Sequence, residues 1–527
     1  MNESRNKTFI YFGTALIIIS GYYLYLISVY PYFLTDDYLN FGIINLNYSN
    51  FISFNLPAVS TYERFYFYTR PITYLISIID LKVFSENSFL MKIFSIILNS
   101  VLIYSLYLYL LELAVFLKKE IKGVAVLIAL VFFSLHPNNM WWIYWISNQN
   151  EMLMIGFYVI ALWCILKYLN TTEIKFLNFY LVFYFLSILT KQQPLHLPVL
   201  VIAAIYFNRT KISSDKFLSL RKYSIIGFLL MIFYTIFTFL NSTNSFKAEY
   251  FLKKPFSLAG NLLYVIFPLN SLSNYEYFVA HKEIAIILFF IFSLLILYMI
   301  IRKKIKVKTT LFIFSIVIIS FYPRLIDGAN NRINTIQVLF LMTSLFLFLT
   351  YRPDLKKYII TTWSILILLN CFETAYLTKY YNSLREIQQV QAKEYIKDEN
   401  KNKVSAISFW SHLLPYQVFF LKNNAFGKED LNSIPLSYSI LNEGKSYSNN
   451  IKVNCILKND NLDIRTVEDP DVRIDIDNFN PKSKAIKYLQ DDINYEKGFK
   501  ELTLPLDSNL KKVKLIYFDG IKWARIN

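Results

Sequence analysis

Long apolar runs alternate with short polar gaps from the N-terminus to about residue 377. Residues 8–32 contain no charged side chain. Similar runs occupy 89–117, 123–138, 151–168, 176–190, 194–207, 223–240, 283–301, 309–322, 335–350 and 358–377. A helix needs ~20 mainly apolar residues to cross a bilayer, or about 17 at the lower end. The pattern therefore predicts about eleven spans, the shorter runs being extended by adjoining loop residues. The first run is a retained span. It is too long for the apolar part of a signal peptide, and Tyr30-Pro31-Tyr32 is a poor cleavage site.

Beyond residue 377 the pattern changes to short mixed stretches. Leu384–Glu399 predicts a helix, and Val404–Phe409, Ile451–Leu457 and Asp471–Ile476 predict strands. Lys514–Phe518, Asp519-Gly520 and Ile521–Ile526 predict a hairpin, because Asp-Gly favours a two-residue turn. The expected fold is an all-α polytopic membrane bundle over residues 1–377, with an outer first loop at 33–88. A small α/β extracytoplasmic domain over 378–527 follows it.

Composition agrees. Of 527 residues, 55% are hydrophobic and only 17% charged, which excludes an ordinary soluble or disordered chain. The net charge is +17, yet the tail from Thr378 holds 23 Lys and Arg against 20 Asp and Glu. The basic excess thus lies beside the membrane runs, and a nucleic-acid partner is not expected. Its clusters fall in alternate gaps: Arg5 and Lys7, Lys118–Lys122, Lys167 and Lys175, Arg209–Lys222, Arg302–Lys308 and Arg352–Lys357. The positive-inside rule makes those gaps and the N-terminus cytoplasmic, with the tail outside. Three cysteines, Cys164, Cys371 and Cys455, suggest neither a structural disulfide nor a zinc site.

The outer gaps hold the residues capable of chemistry. Asp36 and Asp37 follow the first span, where adjacent carboxylates can serve as a general base or as ligands of Mg or Mn. A solvated helix end is the other reading of such a pair. Arg64 and Arg70 stand among aromatics, as a phosphate clamp or as interfacial anchors. His136-Pro137 closes the third run, followed by Trp141, Trp142 and Trp145, an aromatic belt or a sugar-stacking surface. Lys191 lies between two apolar runs, where it is costly unless paired and is a candidate anion contact. Arg324 and Arg332 flank Asp327 in a late outer gap and either bind phosphate or pair with that carboxylate. Carboxylates, cations and aromatics on one face of the bundle suit an anionic, lipid-linked substrate.

The order of these motifs resembles the GT-C superfamily of polyprenyl-phosphate-dependent membrane glycosyltransferases. The similarity covers residues 8–377. Asp36-Asp37 matches the family's acidic first loop, and Arg64–Thr73 loosely matches its Arg-x-x-Arg-Pro-Leu segment. His136-Pro137 and Trp145–Glu151 look like its His-Pro and Trp-Ile-x-Gly-Arg-x-Asp segments. Leu189–Gln192 resembles a Leu-Ser-Lys-Glu turn, and Arg332 the late outer arginine. The chain departs from the pattern at Trp141, where an acid is expected, and at Gln149 and Gln192. The resemblance implies an inverting transfer of a sugar from polyprenyl phosphate to a glycan or glycolipid acceptor. Asp36 and Asp37 would be catalytic. Arg64, Arg70, Lys191, Arg324 and Arg332 would contact substrate, supported by His136 and Glu151. Serotype-converting O-antigen glucosyltransferases of the bacterial inner membrane are similar in length and layout. Two alternatives remain on the residues alone. One is an O-antigen polymerase or ligase, which would not need the early Asp pair. The other is a non-catalytic transporter or flippase, which would bury ionisable residues mid-span; in the apolar runs Glu112 and Glu373 stand out as such, both near run ends.

Overall fold

Backbone N–H and C=O groups in hydrocarbon have no water to bond, so a crossing segment must bond to itself, and a helix does. The computed structural model describes residues 2–31, 67–85, 87–207, 212–241 and 335–351 and most of 360–378. It also describes Asp37, Ile44, Arg209 and the backbones of eight strands between 404 and 525. The helices are α1 (Asn2–Val29), α2 (Pro71–Phe84), α3 (Ser88–Phe116), α4 (Gly123–Ser134), α5 (Pro137–Tyr144) and α6 (Gln149–Thr171). They continue as α7 (Lys175–Thr190), α8 (Leu197–Phe207), α9 (Ser214–Asn241), α10 (Thr335–Tyr351) and α11 (Trp363–Phe372). Among the described residues, four segments are long and apolar enough to cross a membrane: Thr8–Val29, Ser88–Phe116, Ile146–Thr171 and Ser214–Thr238. The chain thus has the architecture of a helical membrane protein. The expected spans at 283–301 and 309–322 lie outside the described residues.

Two boundaries differ from the apolar pattern. The run 123–138 is not one helix. α4 stops at Ser134, and α5 begins at Pro137, whose ring blocks continuation and whose missing N–H suits a first helical position. The run 223–240 starts nine residues earlier, at Ser214, so Asp215, Lys216, Arg221 and Lys222 are helical. Hydropathy misses that extension, but long basic side chains can leave an apolar helix for its end. Lys216 does so and donates to the Leu169 carbonyl at 2.5 Å. The start of α3 is set by Asn87, whose side chain accepts from the Leu90 N–H at 3.0 Å.

The long helices are largely apolar, and only part of each is buried. On α1 the buried stripe is Phe12, Ala15, Ile19, Tyr23 and Leu26, at three- and four-residue spacing, against α3 and α4. Its other face exposes Ile10, Ile17 and Leu24, with Ile17 75% exposed. On α9, Leu229, Phe233 and Ile236 are likewise exposed. Such faces are stable against lipid and not against water. α4 is nearly enclosed, packing on α1 and α10, and Phe132 meets Trp363 edge to face at 4.6 Å. α6 packs on α3 and α7. The far ends of α3 and α6 are tied by Glu112, which pairs with Lys167 at 3.1 Å and accepts from Asn170 at 2.6 Å. Its charge is therefore matched at the bundle end.

The chain divides into two compact units. The first comprises Met1–Tyr32, Phe54–Asp80 and Asn87–Thr378. The second comprises Phe33–Ser53, Leu81–Glu86 and Lys379–Asn527. In the second, β1 (Val404–Ser408), β2 (Tyr438–Asn442), β5 (Ile474–Asn478), β7 (Lys514–Phe518) and β8 (Trp523–Arg525) form a mixed sheet in the order β5-β2-β1-β7-β8. β1 runs parallel to β2 and β7. β3 (Val453–Lys458), β4 (Asn461–Thr466) and β6 (Glu501–Pro505) form an antiparallel sheet. Its register sets Leu457 opposite Leu462, and Leu462 opposite Leu504. The terminal hairpin is present, but Phe518 pairs with Trp523, so four residues separate the strands rather than two. The two-residue connection lies instead at Asn459-Asp460, between Lys458 and Asn461. The expected helix at 384–399 lies outside the described residues.

Close packing gives one test of the bundle. A Cβ on Gly123 would fall 2.1 Å from Tyr11 Cδ2, whereas one on Gly13 would meet nothing within 4 Å. Gly123→Ala should destabilise the protein by about 1–3 kcal/mol through overpacking. Gly13→Ala should be neutral or stabilising by up to ~1 kcal/mol. Thermal midpoints in detergent measure both, and an unchanged midpoint for Gly123→Ala would contradict the α1–α4 contact.

Candidate functional site

The turn Lys191–His196 between α7 and α8 is where separated parts of the chain meet. α7 ends as Lys191 takes extended backbone, and Gln193–His196 then forms one 3-10 turn. Lys191 forms an ion pair with Glu151 in the first turn of α6. Both are buried, at 8% and 1% exposure. Gln193 Nε2 reaches the same carboxylate oxygen at 3.4 Å. A buried pair holds only if its geometry is good, because desolvating either charge alone is prohibitive. The N-terminus of α6 adds a favourable field for the Glu151 carboxylate.

His196 locks the rest of the turn. Its Nδ1 lies 2.8 Å from the Gln193 carbonyl, which can only accept, so Nδ1 carries the proton. Nε2 then accepts from Tyr158 Oη at 3.3 Å, two turns along α6 from Glu151. The turn is also held by α2 and by Arg70 just before it. Arg70 Nη2 donates to Gln192 Oε1 at 2.9 Å, and Thr73 Oγ1 to the Thr190 carbonyl at 2.8 Å. Tyr234 of α9 donates to the carbonyl of Thr69 beside it.

A second polar centre surrounds the break between α4 and α5. Ending a helix frees its last carbonyls. Here side chains take them up: Asn139 donates to Phe133 O at 2.6 Å, Tyr23 to Ser134 O, and Asn370 to Leu135 O at 2.7 Å. His136 caps α5 by accepting the Asn138 N–H on Nδ1 at 3.1 Å. Asn138 in turn reaches Thr335 Oγ1, at the start of α10, at 3.2 Å. His136 is thus placed first as a helix cap. Trp142 is 1% exposed and packs its ring on Phe133, so it belongs to the bundle interior and not to an aromatic belt.

Polar residues also line α3. Lys92, fully buried, donates to the Tyr30 carbonyl at 2.8 Å and lies over the Tyr30 ring at 4.5 Å. Ser95, a turn later, accepts from Gln149 Nε2 at 2.8 Å. Lys92 adds a buried ionisable residue to a run in which Glu112 alone had stood out.

The structure brings together Arg70, Glu151 and Lys191 among the residues singled out from the sequence, and sets His136 at the helix break. Asp37 is helical and fully buried, in the second unit. Asp36, Arg64, Arg324 and Arg332 lie outside the described residues. Among the described residues, no three His, Cys, Asp or Glu side chains are grouped to hold a metal ion. Sequence reading passed over Tyr158, Gln193 and His196. The one available signal was that His196 lies five residues past Lys191 in the same short turn.

Removing Lys191 alone should leave Glu151 as an uncompensated buried charge. Lys191→Met is expected to cost about 3–5 kcal/mol, and adding Glu151→Gln should restore a large part of it. A thermal-stability double-mutant cycle reads the coupling; additive losses would show that the pair contributes nothing. The chain matches no protein-family model and no curated protein, so the residues of this cluster carry the functional argument themselves.

Proposed function

We propose that the protein is an integral-membrane inverting glycosyltransferase of GT-C type, moving a sugar from a polyprenyl-phosphate donor to a cell-envelope glycan such as lipid-linked O-antigen. The observation that supports this most is the joining of Arg70, Glu151 and Lys191-Gln192. They come from three motifs far apart in the chain, yet hydrogen bonds and an ion pair knit them into one cluster. Unrelated anchors at a membrane surface would have no reason to converge. The proposed setting is about eleven spans in a bacterial inner membrane, with the N-terminus cytoplasmic and an α/β tail domain outside.

The proposed chemistry needs a base and a held phosphate. Asp36 takes the proton of the acceptor hydroxyl, with Asp37 assisting. The acceptor oxygen bonds to the anomeric carbon from the face opposite the phosphate. The bond from that carbon to the phosphate oxygen breaks, and its electron pair leaves with polyprenyl phosphate. Direct displacement inverts the anomeric centre. Arg70, oriented by Gln192, and Lys191, oriented by Glu151, belong to the cluster that would face the developing phosphate charge, with Arg64, Arg324 and Arg332 as further cations. A divalent ion at the Asp pair, if this enzyme uses one, would stabilise that same charge.

Asp36→Asn should lower transfer by at least ~100-fold while membrane insertion and thermal stability stay at wild-type values. The assay is sugar transfer by the purified protein from a panel of polyprenyl-phosphate sugars. Wild-type turnover in the variant would remove Asp36 from the mechanism. Thr35→Cys should react with a membrane-impermeant thiol reagent added outside the cell. Labelling from the cytoplasmic side alone would overturn the orientation and the donor argument with it.

A further inference from the structure

The first outer loop leaves at the end of α1 and returns at the start of α3, and these two places are fastened to each other. Lys92, in the second turn of α3, donates to the Tyr30 carbonyl at 2.8 Å and lies over the Tyr30 ring. Ser88, the first residue of α3, donates to the Pro31 carbonyl. Both carbonyls follow directly on the end of α1 at Val29. The same stretch of α3 is held to the start of α6. Gln149 Nε2 donates to Ser95 Oγ at 2.8 Å and reaches the Met91 carbonyl at 3.4 Å. Glu151, two residues further along α6, pairs with Lys191. A line of bonds thus runs from Tyr30-Pro31 through α3 and Gln149 to the Lys191 turn, all inside the first unit.

Anchoring alone does not account for a lysine at this place. Lys92 is 0% exposed, so it does not carry its charge out to water as long basic side chains usually do. A buried ammonium has a desolvation cost that Leu or Met would avoid, and Ser88 already ties α3 to α1. What the lysine adds is a fixed direction, because its ammonium engages both the carbonyl and the ring of one residue. The chain passes from the first unit to the second after Tyr32. Asp36 stands five residues past Pro31, about 18 Å of chain at most. We infer that Lys92 is a positioning residue for transfer. It fixes where the segment bearing Asp36-Asp37 departs relative to the Glu151–Lys191 pair. The inference rests on the glycosyl-transfer reading and adds to it a residue that acts through the backbone of α1 and touches neither donor nor acceptor.

The test uses the full chain in detergent, well below its thermal midpoint. Lys92→Met should lower kcat for transfer from a polyprenyl-phosphate sugar about tenfold or more, because small misplacements of a reacting group are costly. KM for the donor should stay within about twofold. Lys92→Arg, which keeps the charge and the donors, should recover most of kcat. A second readout needs no turnover. Spin labels at Thr35→Cys and Thr172→Cys, the latter exposed at the end of α6, are placed in a chain with Cys164, Cys371 and Cys455 replaced by Ala. The distance between them, read by pulsed electron resonance, should be narrowly distributed with Lys92 in place and broad in Lys92→Met. Lys92→Gln, shorter and uncharged, is read instead if the methionine variant does not fold, and the same losses are expected. A wild-type kcat, or an unchanged distance distribution, would overturn the positioning role. A raised KM at unchanged kcat overturns it as well, since Lys92 would then be holding the donor itself. If the wild-type protein transfers no sugar, the glycosyl-transfer reading falls, and the distance measurement alone decides whether Lys92 fixes the departing segment.

Discussion

Hydrocarbon gives a broken helix no solvent to bond with, and this constraint organises the membrane part of the protein. The break at Leu135-His136 frees three consecutive carbonyls, and each is taken by a side chain from a different place: Asn139 locally, Tyr23 from α1 and Asn370 from α11. Pro137 causes the interruption and His136 restarts the helix. The helices that supply the caps are thereby fixed around α4. Buried non-helical backbone is tolerated where protein satisfies its polar groups, and here side chains from three places do so.

The same constraint shapes the Lys191 turn. A buried charge has to be matched, and Glu151 matches it; the pair then orients Gln193, and through it the chain to His196 and Tyr158. Arg70 joins through Gln192. The cluster sets two cations against one carboxylate, joined through neutral amides.

Hydropathy made the helices legible because lipid-facing and buried faces are both apolar, so a run stands out whichever way it is turned. The same property hid the packing: nothing in the residues 8–32 distinguishes buried Ile19 from exposed Ile17. The helix break was legible in Pro137 but was absorbed into an apolar run. The charged start of α9 was hidden because a hydropathy window stops at the first lysine, whereas the backbone does not. At the site, motif order pointed to Arg70, Glu151 and Lys191 one by one. Their mutual bonding depends on how α2, α6 and α7 pack, which spacing along the chain does not encode.

The cap on Leu135 has a consequence for how the protein is made. Its donor, Asn370, lies 235 residues further along the chain. At about 5–20 residues per second, a ribosome needs roughly 10–50 s to reach it. For that interval the interrupted helix is already in the membrane with one carbonyl lacking its final partner. Insertion machinery, lipid headgroups or trapped water must shelter it meanwhile, and the bundle closes only when nearly the whole membrane part has been synthesised.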